Sequence, residues 1–364
     1  MFNASPTHSR AGLVTLAAIA CAAAVLPGSA AASSGHAAGT SPVSDAAWHA
    51  GRAAFGANAT AGEAVTAYWT PERMRAAHPV EEAPFYKAAV AKDERQAAVD
   101  KSAPKGKRPA PVVGTPFATP PAEGTAGVNA AYNPNLGYST PTARSMGKVF
   151  FTQNGGNYVC SGTVVNTEGA DTVWTAGHCV HGGAGGTWHT NWSFAPAYDD
   201  DLANPRPYGT WTANNLNAMT GWTGSSNTAE DMGVAIMNTN FGGWHIVNYF
   251  GGHGFQANQG KYVYEDAFGY PAESPFDGGN LYRCWGSSSP EWTTWYGSSS
   301  ETIKIPCDMT RGSSGGAWLR SYNGSWGYIN GVNSRIDRIV GPTIMLSPYF
   351  DNTAVDLFNY TRYK

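Results

Sequence analysis

From about residue 145 onward the apolar positions fall into short runs, at 147–153, 158–165, 172–176, 232–237, 262–268, 302–305, 316–320 and 326–332, separated by clusters of Gly, Asn, Asp, Ser and Pro. Runs this short, rich in β-branched and aromatic residues and bounded by turn formers, predict strands. Many such strands without interposed helical periods predict an all-β sandwich or barrel. Only residues 353–360 carry a pattern suited to a short C-terminal helix, and no repeat at solenoid or propeller periods is present.

Upstream the pattern changes. Arg10 precedes an apolar stretch at 11–26, followed by Pro27, Gly28 and a run of small residues at 29–32. This is the layout of a secretory signal peptide with its cleavage site, and the stretch is shorter than the roughly 20 residues that span a bilayer. Residues 33–60 are rich in Ala, Ser and Gly, and 62–100 mix apolar and charged positions in a way that fits one or two amphipathic helices. Residues 101–121 combine Pro104, Pro109, Pro111, Pro116, Pro120 and Pro121 with Lys105, Lys107 and Arg108, a composition expected of an exposed, protease-accessible linker. The chain therefore divides into a signal peptide (1–32), a pro-segment, partly helical or disordered, with its linker (33–144), and a main domain (145–364).

Charge sharpens this division. The chain carries a formal −3, but residues 145–364 alone carry −6 and residues 1–144 carry +3. With no long basic run, a nucleic-acid partner or an anionic membrane surface has no electrostatic support. Weak charge complementarity instead favours the pro-segment lying on the main domain. After the signal peptide four cysteines remain, Cys160, Cys179, Cys284 and Cys307, an even number in an exported chain, where disulfides persist. Of the three connectivities, pairing of nearest neighbours, Cys160 with Cys179 and Cys284 with Cys307, is favoured.

Three local patterns carry chemistry. In Gly312-Ser313-Ser314-Gly315-Gly316 a hydroxyl sits among glycines that let the backbone turn sharply, so that the amides of Gly312 and Ser314 converge on one carbonyl oxygen. Val173-Trp174-Thr175-Ala176-Gly177-His178-Cys179 ends an apolar strand on an imidazole, the group a general base requires. Glu230-Asp231-Met232-Gly233-Val234-Ala235-Ile236-Met237 places an acid at the mouth of another apolar strand. Each alone fits an ordinary loop or strand end. Together they follow the order His, Asp, Ser of one large class of hydrolases.

On these segments, with Tyr158-Val159-Cys160-Ser161-Gly162-Thr163, Gly269-Tyr270-Pro271 and Cys307-Asp308-Met309-Thr310, the chain from about Gly147 to its end resembles the secreted bacterial trypsin-like serine peptidases, in particular their glutamyl-endopeptidase-like branch. The resemblance implies two packed antiparallel β-barrels, about 145–240 and 241–364, with the active site between them. It implies Ser314 as nucleophile, His178 as general base and acid, Asp231 as the group that orients His178, and the Gly312 and Ser314 amides as oxyanion hole. Two departures stand out. Ser313 occupies the position where trypsin has the Asp that pairs with a freshly cut N-terminus, so activation is expected to follow from loss of the pro-segment. Asn333 follows Gly331-Val332 where glutamate-preferring relatives place a histidine. Asp308, six residues before Ser314, fits a pocket for Lys or Arg, whereas Arg311 and Ser334 fit a substrate carboxylate. The departure at Asn333 tilts the expectation away from strict glutamate specificity.

Other signals are weaker. His178 and His181 have a zinc-like spacing without a third ligand nearby, and residues 181–186 lack the Lys and Ser/Thr of a phosphate loop. Asp199, Asp200 and Asp201 read as a solvated acidic loop in preference to a calcium site. His189, His245 and His253 receive no role. No cofactor or metal is expected. The expected protein is a monomeric, extracellular endopeptidase acting on protein or peptide substrates, with its own pro-segment as inhibitor. The alternative is a catalytically silent sugar- or cell-wall-binding protein on the same scaffold, using some of the 11 tryptophans beyond residue 145.

Overall fold

The computed structural model describes residues 1, 35–97, 112–114, 138–240, 242–291, 302–337 and 343–364, with only the backbone of 92–97 and 112–114. The signal-peptide reading, beyond Met1, and most of the linker lie outside the described residues. The fold is all-β in its main part, as the sequence pattern predicts.

Six antiparallel strands close the first barrel: Met146–Gln153, Gly156–Val164, Thr172–Thr175, Gly233–Met237, Trp211–Met219 and Thr190–Pro196, in that neighbour order. Its core includes Val149, Val173, Phe194, Leu216 and Ala235, all without solvent exposure, whereas Trp174, on the opposite face of its strand, packs against Phe255 and Phe350 of the second half. Two of these strands, Thr190–Pro196 and Trp211–Met219, escape the sequence pattern because they carry buried polar residues. Asn217, for example, is buried and donates its side-chain N–H to the carbonyl of Val234. The second half contains a six-stranded sheet ordered Tyr282–Ser287, Tyr264–Gly269, Ala317–Arg320, Tyr328–Val332, Gly254–Ala257 and Val112–Gly114, and a four-stranded sheet of Ser289–Pro290, Thr302–Pro306, Ile344–Pro348 and Arg335–Ile336. Ile303, Ile305, Met309, Trp318 and Met345 form a core cluster here. The terminal helix, Asn352–Thr361, starts where the Asp351 carboxylate accepts the Thr353 amide, and returns Leu357 and Phe358 to the main core.

The described residues of the region expected to be a pro-segment pack against the main domain, and Ser34–Lys364 form one compact unit. Strand His36–Thr40 pairs with Trp211–Met219 and extends the first sheet. Helix Asp45–Phe55 arises in the region read only as Ala/Ser/Gly-rich; Ser44 caps it, and the alanines favour it locally. Helix Ala61–Tyr68 begins at a capping box between Thr60 and Glu63, and Pro71 opens the short helix Pro71–Arg75. Trp69, Met74 and Val80 then enter the main core, all with no exposure. Asn191, at a φ of 54°, is a polar hub for this contact. Its amide donates to Pro42 O (2.8 Å), its carbonyl accepts Trp69 Nε1 (2.7 Å), and its side chain bonds the amide and hydroxyl of Ser44 (2.9 and 2.8 Å).

Candidate active site

The site is assembled from turns at the ends of core strands. Strand Thr172–Thr175 delivers the short turn Gly177–Cys179, and its neighbour Gly233–Met237 begins just after Asp231, with Thr175 opposite Gly233. Pairing of these two strands therefore brings His178 and Asp231 together. The Asp231 carboxylate accepts the His178 amide (2.8 Å) through one oxygen and faces Nδ1 (2.7 Å) through the other. Ser334, from the second half, donates its hydroxyl to the latter oxygen at 2.6 Å. Its role in the fold is thus to hold Asp231, and its hydroxyl is committed there.

The Ser314 loop is fixed by its backbone. Gly312 and Gly315 adopt φ values of 94° and 82°, the left-handed region that side chains disfavour. At Gly315 a Cβ would meet Thr175 Oγ1 at 2.0 Å and Ser161 O at 2.5 Å, so the loop lies directly on the end of the strand that leads to His178 and on its neighbour Gly156–Val164. Ser314 O accepts the Ser161 amide (2.6 Å), and Gly315 donates its amide to Asn333 O (2.7 Å). Asn333 braces the loop with its side chain: Nδ2 donates to Ser313 O (2.9 Å) and Phe268 O (2.8 Å), while Oδ1 accepts Trp318 Nε1 (2.8 Å). Arg311 is half-buried and paired with Glu273 (2.8 Å). Asp308 lies beside the second disulfide, 3.7 Å from Cys284 Sγ.

One occupant of the site was not visible in the sequence. The Glu81 carboxylate accepts the Ser314 hydroxyl at 2.5 Å and the Gly312 amide at 3.1 and 3.3 Å through its two oxygens. Tyr86 lies 4.7 Å from the His178 ring, centroid to centroid, and its hydroxyl donates to Ser334 O (3.3 Å). Among the described residues His178 Nε2 is buried and has no hydrogen-bond partner. Burial pushes the Glu81 carboxyl above its ordinary range, and the neighbouring His178, Ser314 and Gly312 only partly offset this. For His178 burial acts downward, but the charge of Asp231, the hydrogen bond to it and the charge of Glu81 together hold the imidazole above its ordinary value.

The structure joins Cys160 to Cys179 and Cys284 to Cys307, the pairings favoured from the sequence. The first ties the His178 turn to strand Gly156–Val164, and the second closes the segment leading to the Ser314 loop. The remaining histidines have structural surroundings. His189 stacks on Phe151 (4.1 Å) and faces His178 O, and burial drives its pKa to about 3; His253 sits between Ser145 Oγ and the Gly327 amide and is likewise pushed to about 3 by burial. His181 accepts the Gly183 amide on Nδ1, and His245 pairs with Asp171. In the acidic loop Asp200 pairs with Arg75 of the pro-segment, Asp201 accepts from Asn280, and Asp199 accepts the Asp201 amide.

No protein-family model matches the chain. Among solved structures, the protease Anisep from Arthrobacter nicotinovorans is 38 % identical, with 62 % of this chain matching 99 % of that one at a TM-score of 0.57. The thermostable serine protease AL20 from an extremophilic microorganism is 36 % identical over 61 % of this chain and 98 % of its own, at a TM-score of 0.56. A Glu endopeptidase, 17 % identical and matched over 65 % of this chain and 99 % of its own with a TM-score of 0.50, shares the fold. A curated relative, named as an extracellular metalloprotease of Bacillus subtilis strain 168, is 30 % identical over 156 residues, which is 43 % of this chain and 36 % of that protein's length. The metal in that name is a statement about that protein. In this chain the one cluster of metal-donor residue types found among the described residues is Cys160, His178 and Cys179, whose sulfurs are joined in a disulfide and whose imidazole is held by Asp231. Matching nearly the whole of two solved proteases at 36–38 % identity, and folded around the same kind of barrel, the chain belongs to the chymotrypsin-fold serine proteases.

Proposed function

We propose that the chain is the precursor of an exported serine endopeptidase that works through Ser314, His178 and Asp231. In this reading the Ser314 oxygen attacks the carbonyl carbon of the scissile bond while His178 Nε2 takes its proton. The carbonyl oxygen gathers negative charge against the Gly312 and Ser314 amides. The C–N bond then breaks, the proton passes from His178 to the departing amine, and water hydrolyses the acyl-enzyme by the same steps in reverse order of roles. Asp231 keeps the proton of His178 on Nδ1, which leaves Nε2 free to act as base.

The observation that carries this reading is the way Ser314 Oγ and the Gly312 amide both meet the Glu81 carboxylate. Peptide hydrolysis by the proposed steps would leave a carboxylate at this place, and the Glu81 carboxylate is held there by the groups to which this reading gives the catalytic roles. Export is supported by the two disulfides and by the kinship to proteases. No helix among the described residues is long and apolar enough to cross a membrane. The sugar-binding alternative loses support because, among the described residues, Trp174, Trp192, Trp211, Trp222 and Trp318 are buried and only Trp244 of the tryptophans is strongly exposed, which leaves no platform of neighbouring exposed indoles. The test is labelling of the processed protein with a fluorophosphonate, which reacts rapidly only with an activated serine. Rapid labelling that disappears in S314A supports the proposal, and a processed protein that does not label refutes it.

A further inference from the structure

The geometry points to Glu81 as the group that silences the precursor: its side-chain carboxylate stands where the carboxylate of a cleaved peptide would stand, and Tyr86 closes the site over His178. The inference rests on the serine-peptidase reading and adds to it the residue, the chemistry and the mode of inhibition.

Four contacts define the plug. The Ser314 hydroxyl and the Gly312 amide both donate to Glu81, so the nucleophile and one oxyanion-hole donor are engaged by one acceptor group. Tyr86 takes the Ser334 carbonyl as acceptor for its hydroxyl and lays its ring against His178. As a result the Ser314 proton points at Glu81, and His178 Nε2 has no partner among the described residues. The pair through which the proton would leave Ser314 is disconnected.

The plug resists its own enzyme for a chemical reason. A carboxylate is a poor electrophile because its charge is spread over both oxygens, and a glutamate side chain carries no amine to expel. Ser314 therefore has no bond to cut at the point of contact. The backbone here is held by its own pairing: residues His78–Pro79 pair in parallel with Tyr158–Val159, and in the turn Val80–Glu82 it is the side chain of Glu81 that meets the Ser314 loop.

The segment that carries the plug is built to hold it still. Val80 is fully buried, and Ala83, Tyr86 and Val90 form a small apolar cluster with Phe85 and Tyr158. Glu81 itself is 7 % exposed. A buried carboxylate needs partners to offset its lost hydration, and those supplied here are the donors that define the active centre.

The test uses the full chain with the candidate processing sites in 101–145 blocked and its length checked by intact mass, in wild-type, E81Q and E81A forms, beside the processed wild-type protein. The readout is the rate of fluorophosphonate labelling of Ser314. The processed protein is expected to label fast and the intact wild type at least about 100-fold more slowly; intact E81A should recover at least about 10-fold, the size expected for loss of hydrogen bonds to a charged acceptor. E81Q keeps the size of the side chain, so it guards against a fold defect and should recover part of the rate. Intact E81A and E81Q that label as slowly as intact wild type, beside a fast processed protein, overturn the inference and leave the peptidase reading standing. An intact wild type that labels as fast as the processed protein also overturns it. A processed protein that fails to label removes both readings together.

Discussion

Replacing Trp69 by alanine in the intact precursor tests whether the pro-segment is part of the folded body or merely rests on it. Trp69 has no solvent exposure and sits in the main core beside Phe150 (5.5 Å) and Tyr68 (5.1 Å). Its Nε1 donates to Asn191 O, and its carbonyl accepts from Arg206 (3.0 Å). Truncation of a buried tryptophan costs about 3–5 kcal/mol through lost burial and the cavity left behind, and the Asn191 carbonyl loses a donor in addition. The unit from Ser34 to Lys364, at about 2.1 cal/mol/K per residue, has an unfolding entropy of about 0.7 kcal/mol/K. A loss of about 4 kcal/mol then lowers its melting temperature by about 6 °C. S314A supplies a background that does not digest itself under the proposed mechanism, and differential scanning calorimetry of S314A against S314A/W69A gives the shift. A single transition displaced by several degrees is the expected result. A main transition moved by less than about 2 °C, or a new and separate low-temperature transition, would show that the pro-segment does not share the core and would refute the reasoning.

The remaining predictions concern the site. S314A and H178A should each lower the kcat of the processed protein by roughly 10⁴- to 10⁶-fold, and the double variant should be no worse than the worse single one, because the two act as a unit; additive losses would contradict this. His178 and Glu81 both have pKa values raised by folding, so each contributes stability that is present below its ordinary value and is lost as pH rises through its folded value. In the S314A background the stability advantage of Glu81 over E81Q should therefore shrink as pH rises above the ordinary glutamate value of about 4.5, as read from paired melting curves; an advantage that grows with pH would refute the sign. Breaking Cys284–Cys307 by a C284S/C307S double substitution, which opens a span of 23 residues, should cost about 3 kcal/mol in the chain-entropy account, as measured by denaturant unfolding. Profiling on a peptide library should show cleavage that is not confined to glutamate, because Arg311 is paired with Glu273, Ser334 with Asp231, and Asn333 with the loop itself; exclusive cleavage after glutamate would prove this wrong.

What could be read from the sequence was local. The Gly-rich loop around Ser314, the strand that ends at His178 and the acid ahead of Gly233 each advertise themselves within a few residues, and the fold draws those three segments into one cluster. Buried polar residues were harder. Strand Trp211–Met219 does not alternate cleanly because Asn215 and Asn217 have side-chain partners in Gly39 and Val234, and strand Thr190–Pro196 contains Asn191, whose polarity is satisfied by the pro-segment. Ser334 was read as a pocket residue, since nothing within its own stretch shows that its hydroxyl will meet an aspartate 103 positions earlier. Glu81 was the least legible of all. Val80-Glu81-Glu82 ahead of Pro84 looks like an ordinary solvated acidic helix start, and its partners lie 231 and 233 positions away. Helix Asp45–Phe55 was hidden for a different reason: alanine and glycine are compatible with both coil and helix, and Ser44 as cap together with packing against Ala61–Tyr68 decides between them.

If the chain is the precursor proposed above, these contacts also fix what activation must accomplish. The opposite charges of the two parts suggest an electrostatic clasp, yet the ion pair Arg75–Asp200, which joins them, has side chains 42 % and 32 % exposed, and such pairs contribute little. The hold comes instead from Trp69, Met74 and Val80 in the core, from the sheet pairing of His36–Thr40, and from the bonds around Asn191. Cutting the linker converts this from an intramolecular to a bimolecular contact and so lowers the effective concentration of the plug, but it removes none of those contacts. A nicked chain therefore keeps Glu81 on Ser314 until the pro-segment dissociates or is itself digested. Ser313 points the same way, since it offers no acid to capture a new N-terminus and thereby drive the site open. On this account the rate-limiting event in activation is loss of the buried anchors, with linker cleavage as its precondition.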